Sequence, residues 1–366
     1  MRIFKWLKNA RFLIVFLIFN MFMSFLLEPA KGASEKMWGG YYKEEELDTI
    51  FVGSSVSSMT FNPYIFDEQL GVKSYNMGTP SQAMPQTVRA IEVAIEEHDI
   101  NTVIFGMGFS TLKYDPIGEA ELTFESARAR KKGGLGGIIN ALSYMYSEDV
   151  RTEEKSINYL FPWLYNREEM STGGIIENVT LKVQNIKEEL SSGQTDTNQA
   201  SSKGYANGDT STFDYEKKWE VNTYRKYGAD FNEDMLAEFE VLLQLCNEND
   251  VDLIIVNTPH PSFDVVACYE SYENNQEQLK ALCQKYGAEY YDFSLAKPEI
   301  FDAKEEYFGD FEHLNYEGSQ IFDQYFCDFL NRRANGEDMN AYFYSVDEFL
   351  EVHSDELEEW KNILEE

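Results

Sequence analysis

The chain contains one histidine whose surroundings suit acid–base chemistry. Its four histidines are His98, His260, His313 and His353. Only His313 has a carboxylate three positions before it, at Asp310. At the start of a helix, residues i and i+3 lie on one face, so we expect Asp310 to accept a hydrogen bond from Nδ1–H of His313. Nε2 of the imidazole could then take a proton from a serine hydroxyl.

A serine-rich turn follows the first predicted strand. Residues 49–52 form a short apolar run, and Gly53, Ser54 and Ser55 come directly after it. In open parallel sheets, ligands bind at the carboxyl ends of the strands, and a glycine permits a tight turn there. A serine just past that turn can present its hydroxyl to a ligand. Such serines are more often turn or cap residues, so this motif defines no site by itself.

Short apolar strands and amphipathic helices alternate on both sides of a long central segment. We predict strands at residues 49–52, 73–75, 101–105, 251–256 and 289–293, and helices at residues 81–97, 235–249, 275–286 and 315–330. Continuous apolar strands that alternate with helices indicate a parallel sheet covered on both faces. The sequence therefore predicts a three-layer α/β/α domain with a five-stranded parallel sheet.

Taken together, the two motifs resemble those of the SGNH, or GDSL-type, hydrolase superfamily. Gly53-Ser54-Ser55-Val56 matches the G-D-S-L block, with Ser54 where the family has an aspartate, and residues 310–315 match the Asp-x-x-His block. Residues 51–55, 61–66 and 75–78 look like those of membrane-anchored bacterial cell-surface members, such as the D-alanine-transfer and polysaccharide O-acetylation proteins. The resemblance covers residues 48–109 and 231–330.

This resemblance implies a flavodoxin-like sheet and a catalytic triad. Ser55 would be the nucleophile, His313 the general base and then acid, and Asp310 the residue that orients the imidazole. The reaction would be the hydrolysis of an O-acyl ester, or the transfer of that acyl group to a cell-envelope polysaccharide, and both stay open. No metal and no organic cofactor is implied. A membrane-bound O-acyltransferase is a further expected partner.

The resemblance also implies donors that would hold the oxyanion of the reaction. The Ser55 N–H is the first. The family's second block has a glycine at a position that falls at Ser81, with Gly78 as the other candidate. Its third block has an asparagine, for which Ser110 is the nearest equivalent here. One lost donor costs about 10²–10³ in rate.

Asn76 and His260 are weaker candidates, for substrate binding. Asn76 belongs to the second block, and His260 follows the fourth predicted strand, where it could sit at the rim of the site. The alternative is that His260 is a loop histidine whose ring hydrogen-bonds to main-chain groups.

The N-terminal residues have the pattern of a signal sequence or a membrane anchor. Arg2, Lys5, Lys8 and Arg11 precede an almost unbroken apolar run at residues 12–27. Basic residues before an apolar run predict that the start stays in the cytoplasm and the rest lies outside. The run is shorter than the roughly 20 residues that span a bilayer comfortably, so a cleaved signal peptide stays open. We expect an uncleaved signal anchor at residues 1–33, and hence a single-pass bacterial membrane protein with an extracytoplasmic domain.

The remaining organisation follows from these elements. We expect one hydrolase-like domain at residues 34–330, interrupted by a long insertion at about 113–229, and a helical tail at residues 331–366. The glycine-rich stretch at residues 128–137 lacks the Gly-Lys-Ser/Thr of a phosphate loop. A flexible basic loop is the simpler interpretation.

Charge and cysteine content exclude two classes of partner. Lys and Arg number 31 and Asp and Glu 64, which gives a net charge of −33. Nucleic acid is therefore not expected as a partner, because phosphate binding needs a positive surface. The four cysteines include no C-x-x-C pair, so we expect no cysteine metal site.

A rival hypothesis comes from another class of protein. The chain could be a non-catalytic envelope protein that uses the same shell to bind a glycan or a partner. The missing third-block asparagine favours this hypothesis. So does the insertion, where Trp163, Tyr165 and Tyr205 could stack on sugars.

Overall fold

The computed structural model describes residues 32–108, 110–113, 171–192, 203–220 and 230–365, with scattered residues within 11–27 and 124–132. The chain divides into two compact units, one of Met1–Gly39 and Gly118–Ser201, the other of Gly40–Ile117 and Ser202–Glu366. The predicted anchor and the predicted insertion fall largely outside the described residues, as do the glycines at 133–137, Trp163 and Tyr165. Within the described part, no helix is long and apolar enough to cross a membrane.

The second unit is built on a parallel sheet of five strands. These are β1 Thr49–Gly53, β2 Ser74–Asn76, β3 Thr102–Met107, β4 Asp252–Asn257 and β5 Glu289–Asp292. Their order is β2-β1-β3-β4-β5 and every neighbouring pair is parallel. This is the order of flavodoxin-like doubly wound sheets. The predicted α/β fold with a five-stranded parallel sheet is confirmed.

Helices cover both faces of this sheet. In chain order the helices of the described residues are α1 Ala33–Tyr41, α2 Ser55–Thr60, α3 Pro63–Leu70, α4 Met84–Glu97, α5 Thr172–Ser192, α6 Glu233–Glu248, α7 Ser262–Ala267, α8 Tyr269–Tyr286, α9 Tyr316–Ala334, α10 Val346–Val352 and α11 Ser354–Glu365, of which α5 and most of α1 belong to the first unit. Of these, α4 and α6 pack on each other over one face, while α3 and α9 pack on each other over the opposite face.

Aromatic side chains form much of the core between these layers. On one face, Phe51 of β1 stacks on Phe61, whose ring lies 5.7 Å from that of Phe326 in α9. On the other face, Phe105 of β3 lies 6.2 Å from Phe239 of α6. All five rings are fully buried. Each such burial stabilises the fold by about 1.5–3 kcal/mol, so the layers that carry the site are firmly joined.

The C-terminal segment packs against α7. Its helix α11 contacts α7, and Trp360 of α11 is buried and stacks on Trp219 with ring centroids 5.2 Å apart. Lys218 pairs with Glu359 of the same helix at 2.9 Å. The helix therefore buries its aromatic side against the residues around α7.

Candidate active site

The turn after β1 requires a glycine. Gly53 has a φ of +135°, and a Cβ there would lie 2.1 Å from the carbonyl oxygen of its neighbour Gly106 in β3. No other residue fits such a close approach of two backbones. The chain then turns at Ser54, and Ser55 becomes the first residue of α2. Ser55 therefore stands at the carboxyl edge of the sheet, where a parallel fold presents its ligand-binding groups.

Asn76 holds the segment that begins with Ser55. Its amide donates to the carbonyl oxygens of Ser57, at 2.9 Å, and Phe61, at 2.8 Å. Its Oδ1 accepts from the Gly78 N–H at 2.9 Å. Asn76 is fully buried, so the structure places this substrate-binding candidate beneath α2 and ties it to backbone. The N–H of Gly78, an oxyanion candidate, donates to that same side chain.

Asp310 and His313 lie in a turn, whereas the sequence analysis expected them at a helix start. Asp310 Oδ1 accepts from the backbone N–H groups of Glu312 and His313, at 2.7 Å each. Helix α9 begins only at Tyr316, after its N-cap Asn315. The carboxylate therefore fixes its own turn, and both of its oxygens lie 3.0 Å from Nδ1 of His313.

Ser55, His313 and Asp310 form one continuous chain of hydrogen bonds. His313 Nε2 lies 2.8 Å from Ser55 Oγ. Because the Asp310 carboxylate can only accept, Nδ1 of His313 carries the proton and Nε2 accepts from the serine hydroxyl. The structure thus brings together all three predicted triad residues in the arrangement that general-base activation of a serine requires.

Asp310 also sets the charge of the imidazole. Burial of the His313 ring acts to lower its pKa, but the hydrogen bond and negative charge of Asp310 outweigh burial, and the pKa of His313 is raised. Glu312 and Asp209 add to this rise. Burial likewise acts to raise the pKa of Asp310, but its bonds to His313 and to backbone N–H groups outweigh that effect and lower it. The pair favours an ionised carboxylate beside a basic imidazole.

The other oxyanion candidates have different surroundings. Because Ser55 opens α2, its N–H is one of those that a helix leaves without an intrahelical acceptor. Ser81 is exposed in the turn after β2 and has a φ of +57°, a left-handed conformation that favours glycine. The Ser110 hydroxyl donates to Glu312 Oε1 at 2.7 Å, so it already has an acceptor.

His260 is buried, and of the two interpretations that the sequence left open it fits the loop histidine that hydrogen-bonds to backbone better than a residue at the rim of the site. Its Nδ1 lies 2.8 Å from the Thr258 carbonyl oxygen, which makes Nδ1–H the donor. Its ring lies 3.4 Å from the point where a Cβ of Gly108 would stand. Burial lowers the pKa of His260 to about 4, so the ring is neutral. His260 therefore lies in the interior near the carboxyl end of β3, where its ring hydrogen-bonds to the backbone carbonyl of Thr258.

Sequence reasoning missed a buried acid next to the triad. Asp264 of α7 is 1% exposed, and neither of its carboxylate oxygens has a hydrogen-bond partner among the residues described. Burial, and then the charges of Glu312 and Asp310, raise its pKa well above the ordinary range. A lone aspartate within Ser-Phe-Asp-Val-Val gives no sequence signal of burial.

The described residues include no group of three or more His, Cys, Asp or Glu side chains that could hold a metal ion. All four cysteines are free and buried.

The fold and the site define an α/β protein with a serine–histidine–aspartate chain at the carboxyl edge of its sheet. No family model and no curated protein matches the sequence. Among solved structures, the chain is similar to a protein from Streptococcus pneumonia, provisionally described as a platelet activating factor, with 11% identity and a TM-score of 0.39 over 86% of this chain and 98% of that one. A provisionally described acylhydrolase from Bacteroides fragilis gives 11% identity and a TM-score of 0.34 over 79% of this chain and 89% of that one. Both TM-scores are low, and neither likeness carries an inference about activity.

Proposed function

We propose that this chain is a serine-dependent enzyme that hydrolyses an acyl ester or transfers its acyl group. The observation that carries the proposal is the hydrogen-bond chain from Ser55 Oγ to His313 Nε2, at 2.8 Å, and from His313 Nδ1 to the Asp310 carboxylate, at 3.0 Å. A serine hydroxyl is a weak nucleophile until a neighbouring base can take its proton. The raised pKa of His313 makes its neutral form a stronger base.

The reaction would proceed in two halves. Ser55 Oγ attacks the ester carbonyl while His313 Nε2 takes its proton, and the C–O bond to the leaving alcohol then breaks as His313 returns the proton to that oxygen. In the second half, His313 takes a proton from water or from a sugar hydroxyl. The oxygen of that molecule attacks the acyl–Ser55 carbonyl, and the C–O bond to Ser55 Oγ breaks as His313 returns the proton to that oxygen. Throughout, Asp310 stabilises the imidazolium.

The proposed oxyanion donors are the backbone N–H groups of Ser55 and Ser81. The N–H of Gly78 and the hydroxyl of Ser110 both have acceptors already, Asn76 Oδ1 and Glu312 Oε1. Ser110 would contribute only if a substrate displaced its bond to Glu312. Because each missing donor costs about 10²–10³ in rate, we expect slow turnover of simple esters.

The substrate and location that we propose are those of the cell envelope. The Ser-His-Asp motifs resemble those of SGNH hydrolases that act on envelope glycans, and a resemblance of fold and motif supports a substrate only by analogy. The basic residues before the apolar run at residues 12–27 support an anchored, extracytoplasmic domain. A membrane-bound O-acyltransferase would be the partner that supplies or receives the acyl group.

A non-catalytic binding module is the second candidate. The observation that favours it is that the Gly78 N–H and the Ser110 hydroxyl already donate to other acceptors. The oxyanion site is therefore left with few free donors. Tyr205 gives it no support, because its side chain is buried and its hydroxyl lies 2.7 Å from Ser319 Oγ. An aromatic ring in that position offers no face to a sugar.

Hydrolysis of 4-nitrophenyl acetate by the full chain in detergent tests the enzyme proposal. Ser55→Ala should lose nearly all of the activity of the wild type. Ser54→Ala is the matched control, because the Ser54 side chain makes no capping hydrogen bond. It should retain activity. Equal rates for the wild type and Ser55→Ala would favour the binding module.

A further inference from the structure

A segment in the last part of the expected insertion runs from β2 to the turn that holds His313. We call this segment, residues 203–213, the strap. At its start, its first carbonyl oxygen accepts from the Asn76 N–H at 2.8 Å. At its end, its last N–H donates to the Phe308 carbonyl oxygen at 2.9 Å. The strap therefore contacts main chain on both sides of the site.

The strap lies against β2 at a glycine. Gly204 has a φ of +83°, and a Cβ there would lie 1.7 Å from the carbonyl oxygen of Asn76. A side chain at this position would therefore move the strap away from β2. The other glycine of the strap, Gly208, has nothing within 4 Å of the point where its Cβ would stand. Only the first of the two glycines is required by a close approach.

The strap supplies hydrogen-bond donors that the short helix α2 needs. A helix leaves its last four carbonyl groups without intrahelical donors, and α2 has only six residues. The Ala206 N–H donates to the Ser58 carbonyl oxygen at 2.8 Å. Nδ2 of Asn207 donates to the Met59 carbonyl oxygen, also at 2.8 Å. The strap thus fixes the C-terminal half of the helix that Ser55 begins.

The same Asn207 amide reaches the other side of the site. Its Nδ2 also donates, at 2.9 Å, to the carbonyl oxygen of Leu314, the residue after His313. Its Oδ1 accepts from the Asp209 N–H at 3.0 Å. The Asn207 side chain is 7% exposed, so little water competes for these bonds. One buried amide therefore joins the helix of Ser55 to the turn of His313.

Two further bonds join the strap to the start of α9. The N–H of Tyr316, its first residue, donates to the Asp209 carbonyl oxygen at 2.6 Å. Its N-cap, Asn315, donates from Nδ2 to the Ser211 carbonyl oxygen at 3.0 Å. The turn that precedes α9 is thus held by the strap at three points, of which Asn207 is the one that also holds α2.

We propose that Asn207 is a positioning residue of the active site, which holds the hydroxyl of Ser55 in reach of His313 by its bonds to both segments. This role rests on the proposed function. Core packing brings α2 and α9 together, and Asn207 joins the two segments beside the reacting groups themselves. A displacement of about 1 Å between reacting groups can cost about 10²-fold in rate.

Steady-state hydrolysis of 4-nitrophenyl acetate by the full chain in detergent tests this role. Asn207→Ala removes both donations and leaves room for water at the two carbonyl groups. It should lower kcat by about 10²-fold and leave KM near that of the wild type, because the lost contact serves the reaction and not substrate binding. Asn207→Ser keeps one hydroxyl donor and should lose less. Gly204→Ala displaces the strap without changing Asn207, and it should lower kcat as Asn207→Ala does.

Each substitution has a matched control. Gly208→Ala adds the same methyl group to the strap, where it meets open space. Asn247→Ala removes a bond of the same kind, from Nδ2 to the Tyr286 carbonyl oxygen at 2.7 Å, which joins α6 to α8. Both controls should keep the kcat of the wild type. All variants are assayed well below their Tm, so that unfolding does not lower the rate.

The outcomes separate the two proposals. If the wild type is active and both Asn207→Ala and Gly204→Ala keep its kcat, the positioning role is overturned and Ser55 remains the proposed nucleophile. An equal loss of kcat in Asn247→Ala would also overturn it, because any lost tie would then have the same effect. If Asn207→Ala does not fold, Asn207→Ser decides by the same criterion. A wild type that neither hydrolyses the ester nor reacts with a fluorophosphonate would overturn the proposed function, and the positioning role with it.

Discussion

Ser55 Oγ and His313 Nε2 lie 2.8 Å apart although 258 positions separate the two residues. The core fixes this distance. The backbone N–H of Asn62, just after α2, donates to Asp323 of α9 at 2.8 Å, and the Phe61 ring packs on Phe326 of the same helix. Because α9 begins three residues after His313, the packing that holds α2 against α9 also holds the serine against the imidazole.

The contribution of the imidazole and its partner can be separated by substitution. His313→Ala should remove nearly all esterase activity, since no other group takes the Ser55 proton. Asp310→Asn keeps the shape but loses the carboxylate that fixes the Nδ1–H tautomer, and we expect a loss of about 10²–10⁴ in kcat/KM. Steady-state kinetics on 4-nitrophenyl acetate measures both. Wild-type rates in His313→Ala would rule out the assigned base.

The pH dependence follows from the raised pKa of His313. Only the neutral imidazole accepts the Ser55 proton, so kcat/KM should fall as the pH drops through that pKa. The midpoint of this acid limb should lie above 6.5, the ordinary value for histidine. A limb centred at or below the ordinary value would contradict the effect of Asp310.

Glu312 should tune that midpoint. Its charge is one of those that raise the pKa of His313, and its Oε1 accepts from Ser110. Glu312→Gln removes the charge and keeps an oxygen acceptor, so the acid limb of kcat/KM should move to lower pH. Glu317→Gln, at an exposed position on α9, is the control and should leave the limb in place. If the midpoint of the acid limb were the same in Glu312→Gln as in the wild type, the Glu312 charge would have no effect on the pKa of His313.

Asp264 should make the protein less stable as the pH rises. Its pKa is raised in the folded state, so the native protein binds more protons than the unfolded chain once the pH exceeds about 4. The free energy of unfolding therefore declines from that pH upward. Asp264→Asn should show less decline, with a higher Tm than the wild type at pH about 8, by roughly 2–4 °C for each kcal/mol recovered. Thermal unfolding measures this, with Asp347→Asn as an exposed control. If Tm changed with pH in the same way in the wild type and in Asp264→Asn, the raised pKa of Asp264 would be contradicted.

Ser81 carries local strain that a glycine would relieve. A φ of +57° costs an L-residue about 1–2 kcal/mol, and glycine adopts it freely at some cost in chain entropy. Ser81→Gly should therefore raise the free energy of unfolding by up to about 1 kcal/mol, whereas Ser81→Ala should not. Chemical denaturation measures the change. Both variants keep the backbone N–H, so esterase rates should stay near those of the wild type.

Strands β1, β3 and β4 could be predicted because each is a nearly continuous apolar run, whereas β2 and β5 are short and partly polar and were predicted from the strand–helix alternation around them. Both β3 and β4 lie within two residues of their predicted bounds. The short helices α2 and α3 were not predicted, since six and eight residues carry too little periodicity. Helix α8 begins at Tyr269, six positions before the predicted 275, because its first turns are polar and owe their helicity to tertiary contacts such as the Tyr272 bond to Asp292.

The site was only partly predictable, for a similar reason. Local spacing suggested that Asp310 and His313 would meet, and the structure shows the contact in a turn that Asp310 itself holds. The burial of His260 and Asp264, and the bond from Ser110 to Glu312, depend on residues far apart in sequence. No local pattern records them, and the catalytic roles of the triad residues stay predictions.

Labelling with a fluorophosphonate probe tests the central claim most directly, because the probe reacts with a serine that a neighbouring base activates. Peptide mass spectrometry of the labelled full-length protein should find the phosphonyl group on Ser55. Ser55→Ala should remain unlabelled, and Ser54→Ala should be labelled like the wild type. No labelling of the folded wild type, or labelling at a serine other than Ser55, would contradict the assignment of Ser55 as an activated nucleophile.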